Sequence, residues 1–253
     1  MKQLSYTLGL SAVPLLGMTI GDKLDEIVNV YGSKEALVVN HQNVRWTYSE
    51  LLEKTNDCAK ALMACGLGKG DRVGIWSPNC SEWAVLQFAT AKAGIILVNI
   101  NPSYRKHELQ YALAQSSCKM LVLADKFKTS DYSKMILELC PELKVNAFGK
   151  LSSKELPDLK YAISLAETPQ FGLTSWTDLN LLKEDVSDKA LKERQNSLAF
   201  DDPINIQYTS GTTGYPKGAT LSHHNILNNG YFVASTMNFT SEDRLIIPVP
   251  LYH

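Results

Sequence analysis

From Asp71 to Ala124 the chain repeats one unit, a short apolar run followed by an amphipathic stretch. "DRVGIWSP" precedes "SEWAVLQFATAKAG", "IILVNINP" precedes "YRKHELQYALAQS", and "KMLVLA" comes next. Runs that are apolar at every position suit strands covered on both faces, and parallel strands need long crossovers that helices supply. The pattern therefore specifies an α/β fold with parallel sheets flanked by helices. In such folds ligands gather beyond the carboxyl ends of the strands.

Local signals fill in the flanks. Ile20, Leu24, Ile27, Val28 and Tyr31 recur at helical spacing, with Gly32 placed for a left-handed stop. "ALVV" and "VRWTY" around "NHQN" read as a hairpin. Thr47 and Glu50 fit a capping box, which puts Leu51, Thr55, Cys58, Ala59 and Leu62 on a buried helix face ended by Gly66. Ser81 is expected to cap the next helix and Gly94 to stop it, with Trp83 and Phe88 packed in the core. Between Asp125 and Pro203 the pattern weakens. That region reads as peripheral, with "YAIS" as its clear strand, before "DDPINIQY" restores a strand entered through a proline.

Composition narrows the function classes. The formal net charge of −1 gives no basic field for nucleic acid. No apolar run reaches the roughly 18 residues of a membrane span. Five cysteines, Cys58, Cys65, Cys80, Cys118 and Cys140, include no C-x-x-C pair, so buried reduced thiols are expected rather than disulfides or a zinc site. His41 and His107 read as solvated. His223 and His224 are neighbours on a helix start, point in different directions and read as surface or capping residues, so no metal site is expected.

The chemistry concentrates in "YTSGTTGYPKG", Tyr208 to Gly218. Gly211 and Gly214 permit backbone torsions that turn successive N–H groups toward one point, an anion nest. Thr209, Ser210, Thr212 and Thr213 add hydroxyl donors, and Lys217 adds a cation on a long stem. Pro216 stiffens the far side, and Gly218 lets the backbone approach a ligand. Polyphosphate fits this donor set. A Walker A loop does not, because Pro216 stands where its second glycine belongs, and no G-x-G-x-x-G can be built.

"YTSGTTGYPKGATLSHHNI" resembles the phosphate-binding signature of the adenylate-forming superfamily, which includes acyl-CoA synthetases, luciferases and peptide-synthetase adenylation domains. "TYSEL", "GLGKGDRVGIWSPN", "AGIILVNINPSY" and the terminal "PVPLYH" agree with it. The resemblance implies that residues 20–253 are the amino-terminal part of an AMP-binding large domain, after an extension at 1–19. The family's small carboxyl-terminal domain would be absent. It implies ATP-dependent activation of a fatty acid, through an acyl-adenylate, to an acyl-CoA, with ATP, Mg2+ and coenzyme A taking part. Thr209, Ser210, Gly211, Thr212, Thr213, Gly214, Tyr215, Pro216 and Lys217 carry over as nucleotide-binding residues, and Lys217 and His253 as catalytic ones. The partners implied are small molecules, with no nucleic acid and no membrane span. Within the superfamily the pattern is similar to mitochondrial medium-chain ligases, although residues 1–21 show no Arg-rich presequence. A chain cut at His253 is expected to be inactive alone, the alternative being a non-catalytic short isoform that acts by binding.

Overall fold

The computed structural model describes residues 13–209 and 216–253. Helix α1, Ile20–Tyr31, starts at Thr19, whose side chain accepts from the Asp22 N–H. Strands β1, Glu35–Val39, and β2, Val44–Thr47, pair antiparallel. The turn between them passes through Asn43 in the left-handed region, where asparagine is favoured. Helix α2, Tyr48–Ala64, opens on the complete Thr47–Glu50 capping box and buries all five expected residues of its apolar face. Gly66 follows it at φ +78°.

The repeating unit becomes β3, Arg72–Trp76; α3, Ser81–Ala93; β4, Ile96–Asn99; α4, Lys106–Gln115; and β5, Met120–Leu123. A two-residue hairpin, β6 Lys126–Phe127 with β7 Ser130–Asp131, leads into α5, Tyr132–Leu139. Strands β8, Tyr161–Ser164, and β9, Thr174–Ser175, are followed by helices α6, Trp176–Leu181, and α7, Asp188–Asn196. The chain then runs through β10, Pro203–Thr209; β11, Lys217–Ser222; and α8, His223–Thr236.

Among the described residues one sheet has the order β11-β10-β4-β3-β5-β8-β9. All its pairs are parallel except β10 with β11. Side chains alternate between its faces, as the pleat requires. Val73, Ile75, Leu97, Met120, Val122 and Ile163 join one core with α2 and α3. Trp76, Val98, Leu121, Leu123 and Ala162 join a second with α4 and α5. Adjacent strands β3 and β4 thus send their following helices to opposite faces, which opens a crevice at their carboxyl ends.

Four expectations need correction. Gly32 is right-handed at φ −49°, and it is there for close approach, because a Cβ would stand 2.6 Å from the Ser49 hydroxyl and 2.8 Å from the Val28 carbonyl. Ser81 is not the cap of α3 but its first residue, and its N–H donates to Gln42 Oε1 at 2.7 Å, a cap supplied from another element. The 125–203 region is not wholly peripheral, since β8 and β9 extend the central sheet. His223 is not a surface residue. It is fully buried, and its Nδ1 accepts from the Ile20 N–H at 3.1 Å.

Phe88 is only partly buried, though it packs against the core. Gly94 stops α3 in the left-handed region as expected, at φ +70°. Burial raises the pKa of every cysteine, pushing Cys65 and Cys118 to about 12 and Cys80 to about 11. All five are free thiols; Cys58, Cys118 and Cys140 are buried as expected, whereas Cys65 and Cys80 are only partly buried.

Candidate nucleotide site at the β10–β11 hairpin

Strand β10 lies parallel to β4, with Asn205, Ile206 and Gln207 opposite Leu97, Val98 and Asn99. Its carboxyl end therefore stands beside those of β4 and β3. The chain returns antiparallel in β11, which places Tyr208 opposite Gly218 and Thr209 opposite Lys217. Two residues eight positions apart become neighbours at the neck of the hairpin. The Thr209 hydroxyl donates to the Lys217 carbonyl at 3.4 Å. Ser210, Gly211, Thr212, Thr213, Gly214 and Tyr215, the expected nest, lie outside the described residues.

Helix α4 braces the neck from below. The Tyr208 hydroxyl donates to the Ala112 carbonyl at 3.0 Å, and the Tyr111 hydroxyl donates to the Pro216 carbonyl at 3.4 Å. Tyr208 is buried, and burial raises its pKa well above the usual phenol range, so it stays a neutral donor. Gly218 carries a packing constraint, because a Cβ there would meet Ile206 Cγ2 at 3.0 Å. Above the brace Thr209 and Lys217 are exposed. Among the described residues no carboxylate lies within ion-pair distance of the Lys217 ammonium, which leaves it available to an anion.

Amide side chains tie β10 to its neighbours. Gln87 and Asn205 exchange two hydrogen bonds, at 2.8 and 3.1 Å. Asn99 Nδ2 donates to Gln207 Oε1 at 2.8 Å. Asn99 Oδ1 and Gln207 Nε2 are left buried with no hydrogen-bond partner among the described residues.

The other end of the chain arrives at the same crevice. Asn79, in the loop after β3, donates through Nδ2 to the Val249 carbonyl at 2.9 Å and accepts through Oδ1 from the Leu251 N–H at 2.8 Å. That clamp seats "PVPLYH", and Leu251 and Tyr252 pack against the first core. His253 is exposed, with its ring 4.2 Å from that of Tyr252. Lys217 opens β11, three positions from β3 in the sheet, so it and the loop after β3 that seats the segment before His253 are separated by roughly 15 Å. Among the described residues no hydrogen bond or ion pair joins Lys217 to His253.

The loop after β4 completes the rim. Trp76 stacks on Tyr132 with centroids 3.6 Å apart, and its Nε1 donates to the Asn101 carbonyl at 3.2 Å. The Tyr132 hydroxyl donates to the Pro102 carbonyl. Tyr111, Asn79 and the two amide pairs are site supports that sequence reasoning missed. Only Asn79 had a signal, as the last residue of "WSPN". Among the described residues no group of three His, Cys, Asp or Glu side chains is placed to hold a metal ion, so these residues give magnesium no ligand set of their own.

A family model described as AMP-binding enzyme matches residues 24–253. The chain belongs to the AMP-binding enzyme family. This AMP-binding chain is 43% identical over 251 residues to the mitochondrial medium-chain acyl-CoA ligase ACSF2 of Danio rerio, a match that covers 98% of the chain and 41% of the ligase. The ACSF2 of Homo sapiens is 42% identical over 261 residues, with 99% and 41% covered. The chain thus spans about two fifths of these relatives' length. A long-chain fatty-acid CoA ligase, FadD1 of Archaeoglobus fulgidus, shares the fold at TM-score 0.74 and 20% identity, covering 99% of this chain and 46% of that one. The inhibitor-bound amino-terminal domain of FACL13 from Mycobacterium tuberculosis aligns at TM-score 0.65 and 28% identity, over 93% of this chain and 52% of that one.

Proposed function

We propose that this AMP-binding chain is the amino-terminal part of the large domain of a fatty acid–CoA ligase, spanning residues 20–253 after an extension at 1–19. The reaction has two steps. A carboxylate oxygen attacks the α-phosphorus of ATP, the bond to the bridging oxygen breaks, and acyl-AMP and pyrophosphate form. The thiolate of coenzyme A then attacks the acyl carbon and AMP leaves. Bound magnesium would supply charge neutralisation on the phosphates.

The observation that carries this reading is the neck of the β10–β11 hairpin, where Thr209 and Lys217, a cation with no carboxylate partner among the described residues, stand opposite one another at the carboxyl ends of parallel strands. Lys217 would hold the charge that builds on departing pyrophosphate, and Thr209 would orient a phosphate oxygen. Residues 210–215 would offer the tail their N–H and hydroxyl groups. Such preorganised donors stabilise a transition state without reorganising at the moment of reaction. His253, held at the loop after β3, would face the acyl side of the adenylate. Medium-chain substrates and a mitochondrial location belong to the names of the ACSF2 relatives, and identities of 42–43% support proposing them here.

The test uses ATP, octanoate and coenzyme A, with pyrophosphate release and nucleotide binding measured separately, because the chain spans only part of its relatives. Lys217→Ala removes one charge-assisted contact worth roughly 1.5–3 kcal/mol, a loss of about 10–150-fold in adenylation where the protein turns over, and in ATP affinity where it only binds. Unchanged values on both readouts remove Lys217 from the site. ATP hydrolysis without any carboxylic acid would replace the ligase reading with an NTPase.

A further inference from the structure

The sheet edge opposite β11 carries a cavity. Loops 143–151 and 169–174 close over β8 and β9 around a cleft of about 620 Å3, a volume typical of small-molecule sites. It lies four to five strands from β10, roughly 20 Å across the sheet, and shares no residue with the hairpin site.

The loops are built for close approach. Gly149 has φ +72°, and a Cβ on it would stand 2.9 Å from the Tyr161 ring. Gly172 has φ +103°, and a Cβ on it would meet the Leu143 carbonyl at 3.2 Å. Asn146 Oδ1 accepts from the Ser152 N–H at 3.0 Å, and the Phe148 ring tilts on Tyr161 at 4.9 Å. Leu151 and Leu173 line the interior. At the mouth Val145 is 80% exposed and Phe171 79%, and among the described large apolar side chains only Ile246 is more open to water. Water-facing aromatic and aliphatic groups gathered on a concave surface mark a place where an apolar ligand is accommodated.

Charge selects the ligand. Lys144 and Lys160 line the cleft, and Asp178 is the single carboxylate there. Among the described residues Lys144 has no carboxylate within ion-pair distance. Lys160 Nζ donates to the carbonyls of Pro157 at 2.9 Å and Leu151 at 3.3 Å, and among the described residues no carboxylate meets its charge. Two ammonium groups against one carboxylate give the lining a single positive charge in excess, which matches an apolar tail ending in one anionic group.

We propose that this cleft is a peripheral site for an aliphatic monocarboxylate, with the chain against Phe148, Phe171 and Leu173 and the head at Lys144 and Lys160. The assignment rests on the cleft alone and stands or falls apart from the ligase reading. Its test is titration of the 253-residue chain with monomeric dodecanoate, followed by calorimetry, for the wild type, Lys144→Glu, Phe171→Asp and, outside the cleft on α7, Lys189→Glu. Both cleft residues are exposed, and circular dichroism checks that their variants fold. Each cleft variant should weaken binding by about tenfold or more, Lys189→Glu should leave it unchanged, and methyl dodecanoate should bind about tenfold more weakly than the acid. Wild-type affinity in both cleft variants overturns the site, and an equal loss in Lys189→Glu makes the attraction a general charge effect and overturns it too. Equal binding of the ester overturns the carboxylate head. Cleft-dependent binding of phosphatidylglycerol vesicles without binding of monomeric acid makes the surface a membrane contact and overturns the proposal.

Discussion

Protonation of His223 provides the sharpest test of how the hairpin is anchored. Its Nδ1 accepts from the Ile20 N–H at 3.1 Å, so the neutral ring carries its proton on Nε2, which finds no partner among the described residues. Burial lowers the folded pKa from 6.5 to about 4, against the opposing pull of Asp202 and Asp22 and with a further push from Lys69. The unfolded chain therefore binds the proton more readily. Stability is complete above pH 6.5, falls as pH drops from 6.5 toward 4, and levels off below. At 1.36 kcal/mol per unit the loss is roughly 2–4 kcal/mol. His223→Asn keeps an acceptor near the Nδ1 position and removes the titration. Urea unfolding of wild type and variant from pH 4 to 8 should give curves that converge in the acid and separate above pH 6, the wild type gaining relative to the variant. Carboxylates not coupled to the ring cancel in the difference, whereas Asp202 and Asp22 do not. A difference that stays constant across this range would refute the buried, neutral imidazole.

Other perturbations address different parts of the frame. Asp25→Ala strands the buried Lys92 ammonium, which donates to Asp25 Oδ1 at 2.5 Å, and leaves Gln195 Nε2 with Asp22 as its remaining acceptor; chemical denaturation should register a loss of about 3–5 kcal/mol, and a loss under 1 kcal/mol would show that water reaches Lys92. Gly94→Ala places a methyl 2.5 Å from Leu198 Cδ2 at φ +70°, so thermal unfolding should show a destabilisation of about 1–3 kcal/mol, whereas an unchanged midpoint would mean the α3 stop is mobile. With all five cysteines pushed up by burial, thiol reagent at pH 8 should label the native chain slowly and the urea-unfolded chain at five sites. Rapid labelling of the native chain would contradict the packing around them.

Much of the candidate site could be read ahead of the structure, because the residues that would grip a phosphate are consecutive in the chain. Tyr208, Thr209, Pro216 and Lys217 needed only their order to be noticed. Their supports did not announce themselves. Tyr111 lies 105 positions from the Pro216 carbonyl it holds, and Asn79 lies 172 from Leu251. A polar residue on an amphipathic helix or in a loop looks the same whether it faces water or a backbone group far along the chain.

The amino-acid order alone determined the elements whose signals act within a few residues. The Thr47–Glu50 box starts α2, Gly94 ends α3, and the apolar runs at β3, β4 and β5 demand cover on both faces. Tertiary structure decided what depends on segments distant in the sequence. It set β10 beside β4 rather than β9, capped α3 with Gln42, and buried His223 against Ile20. Hydrogen-bond caps and periodicity are local and leave a trace in the sequence, whereas strand order and burial are settled by which surfaces exclude water together once the whole chain has collapsed.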